Sequence, residues 1–462
     1  MPVATENLEA LRTLVSAPVQ SDADARERFR VDGHLPQAVV EPASVEELVE
    51  VVRWARARRV ALVPVTCGCY LPLGNPPLAA DVAVSLARLN RVLHYDPGDL
   101  TVGVEAGMLL ADAKKQIGTD KLILPADPPY ANRTAIGGLL AAHAAGPLRF
   151  GYGTWRDFVV GMKFVTGEGK VVKSGGRVVK NVAGYDLSKL LIGSLGTLGI
   201  ITEVNFKLFP APAAAASFVF AFASADAALE TRMRIVHSAW QPRAMELLDP
   251  AAARLTVPPT PSPVAPATGQ MLSPDHWSLV VAVGGVERVI ERYQRDFSAL
   301  AREAGAAAFR TARDEQNQAL WKALRNLLAR TRESNPATTV VKAALPLGSI
   351  GSFLARAQQV AERYELPSAA TAHAGSGMAY IYLLPAAGMA EASRKVAQAA
   401  TEMVHSGNNL GGRVTIPWCP LEVKADVNVW GPLRDDHALM KKLKAAFDPD
   451  GILNPGRFVG GL

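Results

Sequence analysis

The stretch that decides the fold is GGRVVKNVAGYDLSKLLIGSLGTLGIITEVNFKLFP, residues 175–210. A second glycine-rich stretch, PADPPYANRTAIGGLLAAHAAGPLRFGYGTWRDFVVG, precedes it at residues 125–161. Glycine is needed where the backbone takes a positive φ or where another group must approach it closely. Glycine-rich loops also expose backbone N–H groups that bind anions such as a pyrophosphate. We therefore expect an extended phosphate-bearing ligand along this region, with a tightly packed α+β domain as the alternative.

Composition limits the class of protein. The chain has 462 residues, 49% hydrophobic and 20% charged, which is typical of a soluble globular protein of two or three domains. No run approaches the roughly 20 apolar residues that span a bilayer, and early Glu6 and Glu9 argue against a signal peptide. Three cysteines cannot form a disulfide framework, so we expect a cytoplasmic protein. The net charge of +6 is spread out, which disfavours nucleic-acid binding and leaves an anionic substrate or an acidic partner open.

Local patterns divide the chain. A capping box at 44–47 opens a helix that leads to an apolar strand. Strands are predicted at 82–86 and 100–106, a hairpin around 166–170 and a helix at 433–447. The dinucleotide motif GxGxxG does not follow the first strand, which disfavours a standard Rossmann fold. The predicted parts are an N-terminal lead-in, a ligand-binding domain, a cap domain with a Pro-rich insert at 257–268, and a C-terminal segment that returns to the first domain; their bounds are 1–34, 35–212, 213–410 and 411–462.

The two glycine-rich stretches, with DPDGILNPGRF at 448–458, closely resemble the FAD-binding proteins of the vanillyl-alcohol-oxidase type. Within them the chain most resembles the smaller FAD-binding subunit of bacterial glycolate oxidase (glycolate dehydrogenase). The resemblance implies an α+β fold. It consists of a PCMH-type FAD-binding domain of two α+β subdomains, and an α+β cap domain with an antiparallel sheet, of the FAD-linked oxidase C-terminal type.

The resemblance also implies cofactor-binding residues. Thr134, Gly137 and Gly138 would lie against the isoalloxazine and pyrophosphate, Asp127 beside the cofactor and Ile201 near the adenine. The other expected contacts come from the same glycine-rich stretches: His143, Gly146, Tyr152, Gly153, Gly196, Thr197 and Gly199. His143 stands where the family commonly has asparagine, and a space-filling role is favoured for it.

Residues 63–77, VPVTCGCYLPLGNPP, are a departure from the family. The resemblance places the pyrophosphate loop here, at Pro64, Thr66, Cys67, Gly68 and Cys69, where three glycines are usual. The two cysteines have three other interpretations. A metal site would need further ligands, and a redox pair would normally have the spacing Cys-x-x-Cys. The third interpretation, a buried pair of thiols without a chemical role, remains an alternative. We predict no metal site. In this family, covalent FAD attachment usually uses a histidine in this loop. Residues 63–77 contain no histidine, so FAD is expected to be noncovalent. Whether FAD is retained depends on this loop.

A residual substrate site is predicted at His373, Tyr380 and Arg413. The family strand His-x-Gly-x-Gly-Asn-x-His matches HAGSGMAY at 373–380, where Met378 and Tyr380 replace the asparagine and the second histidine. His373 could act as a base and Arg413 could bind a carboxylate. The favoured alternative is that His373 packs at a strand end and Arg413 forms a structural ion pair.

Three functions follow from the resemblance. The first is an FAD-binding subunit of a glycolate oxidase complex, which works beside a catalytic flavoprotein subunit and an iron–sulfur subunit and reaches the inner membrane through these partners. The second is a stand-alone FAD-dependent dehydrogenase for another 2-hydroxy acid or an alcohol. The third is a scaffold subunit that has lost FAD.

Overall fold

The computed structural model describes residues 5–177, 184–257, 271–386 and 391–462. The N-terminal half contains short helices, which are α1 Thr5–Arg12, α2 Ala23–Glu27, α3 Val45–Arg58, α4 Leu110–Gly118, α5 Ile136–Ala141, α6 Arg149–Tyr152, α7 Trp155–Phe158 and α8 Leu187–Leu191. The predicted capping box is formed in part: the Ser44 side chain accepts a hydrogen bond from Glu47 N at the start of α3, but the Glu47 carboxylate accepts from Ala43 N rather than from Ser44 N. Leu48, Val51 and Val52 then face the core at helical spacing.

Two sheets form the FAD-binding half. Their strands, with a short pair beside them, are β1 Ala38–Val40, β2 Leu62–Val65, β3 Val82–Ser85, β4 Val92–Asp96, β5 Thr101–Glu105, β6 Leu122–Ile123, β7 Val159–Val165, β8 Val171–Gly175, β9 Ile200–Lys207 and β10 Phe209–Pro210. The first three strands pair in parallel in the order β1-β3-β2, and five others pair antiparallel in the order β4-β5-β9-β7-β8. The two-subdomain α+β architecture is thereby confirmed.

The cap domain is built on one eight-stranded antiparallel sheet, ordered β14-β11-β13-β12-β16-β17-β15-β18. Its strands are β11 Ala214–Phe222, β12 Ala244–Leu248, β13 Trp277–Gly285, β14 Ala308–Arg313, β15 Thr339–Ala344, β16 Ser368–His373, β17 Met378–Leu383 and β18 Arg413–Trp418. Its helices are α9 Ala225–Val236, α10 Pro250–Leu255, α11 Glu287–Glu303, α12 Asp314–Arg325, α13 Leu327–Ser334, α14 Ile350–Arg363 and α15 Ala392–Asn409. Separate hydrophobic clusters cover the two faces of the sheet, as expected when alternate side chains point to opposite sides.

The last segment, with α16 Leu421–Lys424 and α17 His437–Phe447, packs against the FAD-binding half. Leu453 forms a parallel bridge with Leu62, and Asn75 Nδ2 donates to Phe458 O at 2.8 Å. The sequence places the boundary between the cap domain and the C-terminal segment at 410/411. Strand β18, Arg413–Trp418, still belongs to the cap as an edge strand of its sheet, so the cap domain ends after β18.

Two other features concern what the sequence predicted. Residues 258–268 of the Pro-rich insert lie outside the described residues. In the described part of the chain, no helix is both long enough and apolar enough to span a membrane.

Candidate active site

A cleft of about 530 Å³ lies between the FAD-binding half and the cap sheet. Cross-strand pairing places Tyr380, Lys342 and Thr415 in one row of the sheet. The next row on the same face contains Met378, Ala344 and Arg413, since residues two apart in a strand point to the same side. All six side chains line the cleft, which has a volume within the range typical of ligand pockets.

The cleft is basic. Arg156, Lys342 and Arg413 line it, and none of the described lining residues is acidic. Burial, with repulsion from Arg149, lowers the pKa of Lys342 to about 8. Uncompensated cations in a partly dry cleft favour an anionic ligand.

His143 faces these groups from the FAD-binding half. Its backbone has φ of 47°, a conformation that is uncommon for a residue other than glycine. Its buried Nε2 has no hydrogen-bond partner among the described residues. Burial, with repulsion from Lys342, lowers the pKa of the ring to about 4, so His143 is neutral near pH 7. The unpaired ring nitrogen is compatible with the predicted contact between His143 and the cofactor, and both this contact and the space-filling role stay predictions.

A smaller pocket of about 70 Å³ lies at the predicted pyrophosphate loop. Its lining includes these residues singled out from the sequence: Pro64, Thr66, Cys67, Gly68, Cys69, Thr134 and Gly138. Tyr70, Ala142 and Leu195 line both this pocket and the cleft, so the two spaces adjoin.

Arg457 gives the loop pocket an unpaired positive charge. Its side chain is 2% exposed, and Nη2 donates to Leu71 O at 2.6 Å. Its Nε and Nη1 are buried without a partner among the described residues, as is Oδ1 of Asn454 beside it. Burial lowers the pKa of Arg457 to about 10, which leaves it charged at neutral pH. A buried guanidinium with two nitrogens, Nε and Nη1, available to donate fits the pyrophosphate of FAD.

The cysteines behave as ordinary thiols within this loop. Cys69 Sγ donates to Arg133 O at 3.3 Å, and burial raises the pKa of Cys67. In the described part of the chain, no group of three or more His, Cys, Asp or Glu residues could hold a metal ion. Tyr70, which follows the two cysteines, donates to Pro129 O at 2.5 Å and packs against Trp418.

His373 does not line the cleft but lies in a separate chamber of about 60 Å³. Its Nδ1 is 2.6 Å from Glu246 Oε1, and both side chains are nearly buried. Burial lowers the pKa of His373 to about 3. Burial also raises the pKa of Glu246 well above its ordinary value, so the two side chains form a neutral hydrogen-bonded pair. Asp127 and Gly146 also line the chamber, and Tyr380 lines both the chamber and the cleft. The predicted trio is therefore divided, with Arg413 and Tyr380 at the cleft and His373 behind it.

The other predicted cofactor residues have structural contacts of their own. A Cβ at Gly137 would lie 3.0 Å from Ala106 Cβ, so that glycine allows α5 to pack closely against the end of β5. The Tyr152 hydroxyl accepts a hydrogen bond from Arg243 Nε at 2.9 Å, across the two halves. Seven of the predicted cofactor residues line neither the cleft nor the loop pocket nor the chamber: Gly137, Tyr152, Gly153, Gly196, Thr197, Gly199 and Ile201. Their contact with the cofactor stays a prediction.

Sequence reasoning missed Lys342, Arg457 and Glu246. Lys342 is the only charged residue in the strand TVVKAA, and Arg457 lies inside the motif DPDGILNPGRF. A lone charge in a buried strand was therefore a visible signal. Glu246 gave a similar signal in AMELL, but its pairing with His373 depends on the register of β12 and β16.

Comparison with known proteins agrees with this geometry. Residues 36–175 match a family model described as an FAD binding domain, and residues 211–416 and 432–458 match the C-terminal domain of FAD linked oxidases. The glycolate oxidase subunit GlcD of Bacillus subtilis is 28% identical over 92% of this chain and 89% of its own. The glycolate oxidase subunit GlcE of Escherichia coli is 37% identical over 36% of this chain and 47% of its own.

A solved structure of p-cresol methylhydroxylase has the same fold. Its TM-score is 0.77 at 18% identity, with 99% of this chain and 98% of that chain covered. FAD accepts electrons from a bound substrate, and the chain supplies the groups that hold both molecules. Both family models that match the chain name FAD in their descriptions. The Arg457 guanidinium, with two nitrogens that have no partner among the described residues, fits this cofactor. This chain belongs to the FAD-linked oxidase family and is an FAD-dependent oxidoreductase.

Proposed function

We propose that this protein is the FAD-binding subunit of a glycolate oxidase complex and supports the oxidation of glycolate to glyoxylate. The observation that carries the proposal is the cleft, where Lys342, Arg413 and Arg156 converge and no described lining residue is acidic. A small 2-hydroxy acid offers one carboxylate to such a group of cations. The names of the GlcD and GlcE relatives support the same substrate class.

The residues of the chain have distinct tasks in this proposal. Arg413 and Lys342 bind the carboxylate from the cap sheet, and Arg457 holds the pyrophosphate of the noncovalent cofactor. Tyr380 and Trp418 form apolar walls that limit the water around the reacting atoms. Electrons then pass to an iron–sulfur subunit beside a catalytic flavoprotein subunit, and any association with the inner membrane takes place through these partners.

The test is an anaerobic titration of the purified, FAD-loaded chain with glycolate, D-lactate and ethanol, followed through the visible flavin band. Bleaching by glycolate supports the proposal. Bleaching by another acid, with turnover on an artificial acceptor in the absence of partners, supports the stand-alone dehydrogenase. Protein that takes up no added FAD supports the scaffold, which the unpaired groups of Arg457 disfavour.

A further inference from the structure

Lys342 is a half-buried cation that lines the cleft from β15, between β17 and β18. In the part of the chain that the structure describes, its ammonium group has no hydrogen bond and no ion pair. Burying a lysine without a partner is costly, and an apolar residue would pack in this strand without that cost. A position that keeps such a group facing a cleft is a candidate for ligand binding.

We propose that Lys342 is the proton-switching cation of the cleft: a small carboxylate binds between it and Arg413, and binding draws a proton onto its amine. This inference rests on the proposed function, since it assumes that the cleft takes the carboxylate of a 2-hydroxy acid. It adds the residue whose charge changes when that anion enters.

The neighbours of Lys342 explain why the charge change falls on it. Arg413 from β18 and Arg149 and Arg156 from the FAD-binding half contribute guanidinium cations around the cleft. Tyr380, opposite Lys342 on β17, has a pKa raised by burial and stays neutral. His143 has a pKa lowered to about 4 and stays neutral too. Each cation raises the cost of a further positive charge, and an incoming anion removes that cost, so the pKa of Lys342 rises on binding.

The pH dependence has a definite sign. Burial and the nearby Arg149 lower the pKa of Lys342 to about 8, so about half of the amines are neutral at that pH. Binding there takes up about 0.5 proton per site. Near pH 6 the amine is already protonated, and the uptake falls to about zero.

The experiment is isothermal titration calorimetry of the FAD-loaded chain with oxalate, in two buffers that differ in ionisation enthalpy. The difference in heat between the buffers gives the number of protons taken up. Lys342→Arg keeps a permanent charge, so we expect retained binding without proton uptake. Lys342→Met removes the charge, and we expect oxalate affinity about 10- to 100-fold weaker, which is typical of a lost hydrogen bond to a charged group.

Lys115→Met is the matched control, because Lys115 is an exposed lysine on α4. It should bind oxalate and take up protons as the unchanged protein does. Proton uptake that persists in Lys342→Arg, or oxalate binding that Lys342→Met leaves unchanged, would overturn the proposal.

The outcome is separable from that of the proposed function. Proton-coupled oxalate binding without bleaching by any 2-hydroxy acid would keep the role of Lys342 and reject the oxidation. Bleaching by glycolate with no proton uptake on oxalate binding would keep the oxidation and reject the role of Lys342.

Discussion

Arg457 shows how one side chain can mark a cofactor site. Its Nη2 holds the carbonyls of Leu71 and Leu73, and this fixes the chain that follows the loop. Its Nε and Nη1 are buried without a partner among the described residues, and because such donors are costly they are suited to bind an anionic group. The same residue therefore has a structural task and a binding task.

We predict that Arg457→Met weakens FAD binding about 10- to 100-fold, since a charge-assisted contact is lost. Arg457→Lys should recover part of the affinity because it keeps the charge but not the planar fork. Quenching of flavin fluorescence measures the dissociation constant, and Arg434→Met, at an exposed arginine, is the control. Unchanged FAD affinity in a folded Arg457→Met protein would contradict the assignment.

The loop cysteines provide a second residue-scale prediction. Bound FAD should protect Cys67 and Cys69 from iodoacetamide, because both line the loop pocket. Alkylation of Cys67 in the apoprotein should be slow near pH 7 and faster at higher pH, since burial raises its pKa and the thiolate is the reactive form. Mass spectrometry of the labelled peptides reads both effects. Cys419, buried and with a pKa raised to about 12, is an internal control that should stay unlabelled, and equal labelling of Cys67 with and without FAD would count against the loop as the cofactor site.

At the scale of elements, Lys424 joins three separate segments. Its Nζ is 2.7 Å from Asp32 Oδ2 and donates to Pro72 O at 2.7 Å and Gly74 O at 2.9 Å. The N-terminal segment, the chain after the cysteine loop and α16 thus meet at one buried amine. Helix α16 has only four residues, so its position depends on this contact rather than on helix propensity.

We predict that Lys424→Met lowers the free energy of unfolding by about 3–5 kcal/mol, because Asp32 is then buried without its counter-charge. Adding Asp32→Asn to that variant should recover part of the loss. Urea denaturation measures both values. Lys395→Met is the control, since its pair with Glu365 is largely exposed and should be worth less than about 1 kcal/mol. Equal losses from Lys424→Met and Lys395→Met would show that burial of the pair does not matter.

Element prediction worked best where the signal was local. The helix after Ser44 and the hairpin around 166–170 follow from a cap and a turn, and both are confirmed. The helix predicted at 433–447 begins at His437 instead. Residues 432–436, which precede it, are exposed irregular chain, so the apolar period places the start of this helix too early.

At the scale of the whole molecule, acid stability depends on buried groups between the two halves. His373 has a folded pKa of about 3, below its ordinary value, so folding favours the neutral ring. Its contribution to stability is complete above about pH 6.5 and is lost as the pH falls towards 3. Glu246 acts in the opposite sense, because its raised pKa favours the protonated form in the fold.

We predict that His373→Gln makes the protein more resistant to acid than the unchanged chain, with the difference growing as the pH falls from about 6 to 4. Thermal unfolding at a series of pH values measures it, and His405→Gln, at an exposed histidine, is the control. Identical pH profiles for His373→Gln and the unchanged protein would mean that His373 titrates in the fold as it does in the unfolded chain.

Fold and cofactor class could be predicted from the sequence, because the glycine-rich stretches at 125–161 and 175–210 and the motif at 448–458 resemble a known family of FAD-binding proteins along continuous segments. The arrangement of the site depends on contacts between segments that are far apart in the chain. Lys342, Tyr380 and Arg413 come from three strands and meet only through sheet register, while Glu246 draws His373 into a separate chamber. Burial, pairing and pKa depend on neighbours distant in sequence, and for that reason only the folded chain shows which charges are left without a partner.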